Sequence, residues 1–194
     1  SQITVVMQDA RLFNKSVRDN IGFGKIGASE EEIVRAARLA QAHDFILRMP
    51  GGYDTMIREG GENLSGGERQ RLNIARAIVR DTPIVILDEA GTALDARTEA
   101  LVQEALHELT CGKTSFVVAH KLSTVSGAHK ILMLDDGTIT AFGTRDELLD
   151  SCREYREICA LQAAPAPVPV GPERAARRHG RMVDIPEGCE FSQL

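Results

Sequence analysis

Residues 64–95, LSGGERQRLNIARAIVRDTPIVILDEAGTALD, constrain this chain more than any other stretch. Ser65-Gly66-Gly67 is a turn that opens a helix rich in Arg. The helix is expected to end near Arg80, and Pro83 resets the backbone. The apolar run Ile84-Val85-Ile86-Leu87 then ends in two carboxylates, Asp88 and Glu89. A buried strand that delivers adjacent acids at its carboxyl end can set a metal ligand and a base beside a phosphate.

The glycine turn points the same way. Free backbone N–H groups and the positive end of the helix favour a phosphate. Glycine lets the backbone come close, and Ser65 adds a hydroxyl donor. An ordinary N-capped helix would explain Ser65 but not two consecutive glycines. LSGGE resembles the signature motif of ATP-binding cassette (ABC) proteins. IVILDE resembles their Walker B strand, and Thr92-Ala93-Leu94-Asp95 their D-loop.

Elsewhere along the chain, further motifs occur in the family's order. Ile3-Thr4-Val5-Val6-Met7 is rich in β-branched residues and reads as a strand. It leads straight into Gln8, and QDARLFNKSVRDNIGFG resembles the Q-loop, especially that of exporters. Ser29-x-x-Glu32 is a capping box, and Ile33, Ala36, Ala37 and Ala40 repeat at helical spacing. One helix is expected there, broken at Gly51-Gly52, within a helical subdomain over about 16–80. Residues 55–61 resemble the exporter X-loop, with Arg58 where Gly is usual. Helical spacing predicts a helix over 95–109, with Leu101, Val102, Ala105, Leu106 and Leu109 as its apolar face. Residues 114–119 read as a strand ending at His120, whose context AHKLSTV resembles the switch-His motif. Residues 131–134 and 138–142 form a hairpin around Asp-Gly, with one residue more than the shortest turn. A last helical region is expected from Asp146 to about Leu161.

The totals agree with one domain plus a tail: 194 residues, 43% of them hydrophobic. A net charge of −5 excludes a strongly basic footprint and argues against a nucleic-acid partner. Cys111, Cys152, Cys159 and Cys189 form no Cys-x-x-Cys pair, which argues against zinc and for reduced thiols. No apolar run approaches the roughly 20 residues of a membrane-spanning helix, and no signal peptide is evident. A strand at the first residues is expected to be the middle of a fold. Residues 162–194, Pro-rich and then Arg-rich, are expected to be a mostly disordered tail.

The resemblance spans about residues 3–161 and implies an α/β fold. That fold is a RecA-like P-loop NTPase core with a mostly parallel sheet and an ABC helical subdomain. It implies ATP and Mg²⁺ as cofactors. Asp88 and Gln8 would hold the metal, Glu89 would act as general base, and His120 would bond the γ-phosphate. Leu64, Ser65, Gly66, Gly67 and Glu68 would meet the nucleotide of an opposite subunit, with Asp95 at the same boundary. The implied partners are a second nucleotide-binding domain, in a homo- or heterodimer, and membrane domains that touch the Q-loop and X-loop regions. The implied location is the cytoplasmic face of a membrane.

One family element is missing from these residues. A P-loop needs Gly-x-x-x-x-Gly-Lys-[Ser/Thr]. Gly112-Lys113-Thr114 has His107 where the first glycine belongs, and it precedes a strand rather than a helix. Gly24-Lys25 has Asp19 in that place and Ile26 after it. The 194-residue chain alone is therefore expected to be inactive toward ATP, and its incomplete core to expose apolar surface. An alternative is a non-catalytic cassette that completes another subunit's site. A DNA-handling ABC ATPase would need coiled-coil heptads and a basic groove, and neither is present.

Overall fold

A computed structural model describes residues 2–7, 11–88, 95–119, 125, 127–163 and 181–185. These fall into two units, Ser1–Thr114 and Ser115–Leu194.

Among its described residues the first unit holds a parallel strand pair and five α-helices. Strand β1, Ile3–Met7, lies beside β2, Ile84–Asp88, in a parallel register from Ile3 opposite Ile84 to Met7 opposite Asp88. Period-two alternation buries Thr4 and Val6 and leaves Ile3, Val5 and Met7 exposed. Three apolar side chains thus lie on the exposed face of β1. Thr4 and Thr82 share a buried hydrogen bond of 2.8 Å between their hydroxyls.

Between the strands come α1 (Val17–Gly22), α2 (Glu30–Leu39), α3 (His43–Arg48) and α4 (Gly66–Arg80). The capping box expected at Ser29 forms, with Glu32 N–H donating to Ser29 Oγ at 3.3 Å and Ser29 N–H to Glu32 Oε2 at 2.9 Å. The single helix expected up to Gly51 is instead two helices. Gln41 takes a left-handed φ of 54°. Its N–H donates to Arg38 O, and that of Ala42 to Ala37 O. This is the paired closure of a Schellman turn, formed without the glycine that usually marks one. Helix α4 buries Leu72, Ile74, Ala75 and Val79, ends at Arg80, and is closed by Asp81 at φ 47°. Helix α5, Ala96–Thr110, buries Val102, Ala105, Leu106 and Leu109.

β3 (Thr114–Ala119) starts at the boundary residue and runs into the second unit, where β4 (Lys130–Asp135) and β5 (Thr138–Gly143) are also strands. β4 and β5 pair antiparallel with Asp135 opposite Thr138. The loop is thus only Asp136-Gly137, both at positive φ, as a type I′ turn requires. Asp135, the apparent extra residue, belongs to the strand. The last helical region is two helices, α6 (Arg145–Ser151) and α7 (Arg153–Ala163), parted at extended Cys152. Leu148, Cys152 and Tyr155 pack with Ala119, Val125, Ile131 and Met133 as the core.

The tail expected to be disordered contributes β6, Arg181–Ile185. It bonds antiparallel to β3 on one side and β4 on the other. Two strands with open backbone groups supply hydrogen bonds that a composition-based reading of the tail does not count.

Candidate functional site

The amino end of α4 is built by its own first residues. Ser65 is extended (φ −65°, ψ 161°), and its Oγ accepts the Glu68 N–H at 3.3 Å. The Glu68 carboxylate accepts both the Ser65 N–H and the Ser65 O–H, each at 2.9 Å. This is a full capping box, a role for Glu68 that follows from its place three residues after the cap. Ser65 and Gly66 face solvent, whereas Leu64 and Gly67 are buried. Arg69 reaches back to the Leu64 carbonyl at 2.9 Å and fixes the chain entering the turn.

Gly67 has a packing reason as well as an electrostatic one. A Cβ there would collide with Thr98 Cγ2 on α5. Thr98 also donates its N–H to Asp95 Oδ1 at 3.1 Å, making Asp95 the N-cap of α5. Hydrogen bonds from Thr98 hold the Asp95 carboxyl below its usual range. The signature turn and Asp95 therefore meet through Thr98, a residue the motif reading missed.

Arg71 was missed too, although it stands one helical turn after Gly67. Its side chain is buried, and among the described residues Nε and Nη1 find no hydrogen-bond partner. It lies over the Phe45 ring at 5.1 Å. Burial pushes its pKa down, while the Glu68 and Asp95 charges act in the opposite sense.

Asp88 ends β2 opposite Met7. Those two residues immediately precede Glu89 and Gln8 in sequence. Gln8, Glu89 and His120 themselves lie outside the described residues. Among the described residues no group of three His, Cys, Asp or Glu side chains converges as a metal site. Mg²⁺ commonly takes one or two carboxylates together with substrate phosphates and water. No helix among the described residues is long and apolar enough to cross a membrane.

A parallel strand pair ending in an acid, joined to a helix that opens on Ser-Gly-Gly, makes this a mixed α/β protein. Comparison with known proteins narrows this. The family model described as ABC transporter matches residues 1–92. An ATP-dependent lipid A-core flippase of Syntrophus aciditrophicus is 51% identical over 161 residues, covering 83% of this chain and 27% of that protein. The beta-(1→2)glucan export ATP-binding/permease protein NdvA of Brucella suis is 52% identical over 156 residues, 80% of this chain and 26% of its own. The solved structure of a bacterial Atm1-family ABC exporter with ATP bound superposes with a TM-score of 0.78 at 41% identity. It covers 86% of this chain and 29% of that one. The chain belongs to the ABC transporter family and has the ABC ATPase fold. It spans less than a third of the length of these relatives.

Proposed function

We propose that this chain is the ATP-binding and ATP-hydrolysing module of an exporter, working as one of a pair of cassettes at the cytoplasmic face of a membrane. The observation that carries the reading is the exposed, capped amino end of α4. Ser65 and Gly66 are open to solvent there, and the capping box engages the N–H groups of Ser65 and Glu68 rather than those of Gly66 and Gly67. Leu64, Ser65, Gly66, Gly67 and Glu68 meet the phosphates of a nucleotide held by the opposite cassette, and Asp95 lies at the same boundary. Asp88 and Gln8 share Mg²⁺, Glu89 activates the attacking water, and His120 bonds the γ-phosphate. The segment after Gln8 and residues 55–61 meet the membrane domains. The flippase and the glucan exporter among the relatives support an export role.

A second reading rests on the sequence. These 194 residues contain no P-loop motif. In that reading the chain only completes the ATP site of a neighbour that grips the phosphates.

The test uses Ser65→Asp. Aspartate is itself a good N-cap, so α4 keeps its start, but a negative charge then stands where the phosphate must come. The chain is mixed with an intact cassette in Mg²⁺-ATP and analysed by sedimentation. Wild type is expected to form an ATP-dependent pair, and Ser65→Asp to lose it with an unchanged melting temperature. ATP-dependent pairing that survives Ser65→Asp refutes the assignment. ATP turnover by the chain alone refutes the second reading.

A further inference from the structure

Arg76 stands on α4 eleven residues past the Ser65 cap (76 − 65 = 11), about 16 Å along the helix. Its guanidinium is committed to the segment that follows Gln8 in sequence. Nε donates to the Asn20 carbonyl at 2.9 Å, Nη1 to the Arg11 carbonyl at 3.0 Å and Nη2 to Asn20 Oδ1 at 2.9 Å. The same group lies 4.9 Å from the Phe13 ring centre and 6.0 Å from that of Phe23. The two rings are 4.5 Å apart.

Asn20 completes the bracket. Its Oδ1 accepts the Phe13 N–H at 2.8 Å, and its Nδ2 donates to the carbonyls of Phe13, Lys15 and Ser16 at 2.9, 3.3 and 3.0 Å. The backbone of Arg76 takes part as well. A Cβ on Gly24 would strike the Arg76 carbonyl oxygen and come within 2.6 Å of Val79 Cγ1. No side chain separates the exit of α1 from α4 at this point.

An anchor that served only the core would pull its aromatic partners inward. Here Phe13 and Phe23 remain 39% and 63% exposed. The guanidinium fixes the rings at the surface. A planar fork of donors can reach three acceptors and stack at once, which a lysine ammonium cannot.

We propose that Arg76 is a positioning residue that makes the signature helix and segment 11–24 one body. A nucleotide that draws the amino end of α4 then moves Phe13 and Phe23 with it. The inference rests on the function proposed above, in which Ser65 meets a nucleotide and the segment after Gln8 meets the membrane domains.

The test is amide hydrogen exchange and ATPase kinetics on the complete transporter containing these residues, with and without Mg²⁺-ATP. In wild type, ATP is expected to slow exchange both in the first turn of α4 and across 11–24. Arg76→Lys is expected to keep the response of α4 and lose that of 11–24. It should also lower kcat about tenfold while the KM for ATP stays within about twofold. Phe13→Leu keeps the three hydrogen bonds, removes one ring, and should weaken the response of 11–24 part-way. An undiminished response of 11–24 in Arg76→Lys, with kcat unchanged, overturns the proposal. If Arg76→Lys does not fold, an undiminished response in Phe13→Leu overturns it instead. No ATP response at α4 in wild type would sink the proposed function and not this coupling.

Discussion

Gly67 and Thr98 compete for one space: the Cβ that any other residue would bring to position 67 lands on the Thr98 methyl. The signature helix and α5 thus approach as closely as a glycine allows. The residue serves α4–α5 packing whether or not a nucleotide is present.

Gly67→Ala tests this. An alanine inside a helix gains up to about 1 kcal/mol over glycine, whereas overpacking costs about 1–3 kcal/mol. The clash should win, and the urea midpoint should fall. Thr98→Ser removes the obstructing methyl, so the double variant Gly67→Ala/Thr98→Ser should recover most of the loss. If Gly67→Ala alone is stabilising, the contact is not tight.

The capping box makes a graded prediction. Ser65→Ala leaves the Glu68 N–H without its acceptor and should cost about 1 kcal/mol. Glu68→Gln preserves both arms of the box and should cost little. Glu68→Ala should fall nearer to Ser65→Ala. Chemical denaturation of the three variants ranks them.

Thr4 and Thr82 are both buried, their hydroxyl oxygens lie 2.8 Å apart, and Thr82 Oγ1 also lies 3.0 Å from the Ile84 carbonyl oxygen. Thr82→Val strands the Thr4 hydroxyl and should cost about 1–3 kcal/mol. Thr4→Val/Thr82→Val removes both groups and should be less destabilising than the sum of the single changes. A double-mutant cycle of unfolding free energies measures the difference.

Acid should weaken the fold at helix starts. Hydrogen bonds from Thr98 lower the Asp95 pKa, and the Thr144 N–H and hydroxyl lower that of Glu147. A depressed folded pKa means stability that is present above the unfolded value and lost as pH falls through the folded one. The unfolding midpoint should hold at neutral pH and decline below about pH 4, the ordinary carboxyl range. Asp95→Asn keeps a capping side chain without the titration, so its decline should be shallower. Identical pH profiles would refute the assignment.

Much of the architecture was legible because it is local. The β-branched run of residues 3–7 and the helical spacing over 95–109 are visible in the sequence, and both elements formed as read. The Asp-Gly turn was legible for the same reason, since its positive φ values suit those two residue types. The break at Gln41 was not. A Schellman closure normally shows itself by glycine, and here a glutamine takes that conformation. Strand β6 also escaped, because its stability comes from the hydrogen bonds of β3 and β4 and not from its own composition.

The sequence by itself determined the family, the order of its motifs and the caps of its helices. Each of these depends on residues a few positions apart. Only the tertiary structure decided that Gly67 must be small because of Thr98, and that Arg71 is buried against Phe45. It likewise decided that Arg76 spends its donors on Arg11 and Asn20. Those are contacts between elements 26 to 65 residues apart (71 − 45 = 26; 76 − 11 = 65). Their strength depends on close packing and fixed donor geometry, which no local pattern encodes.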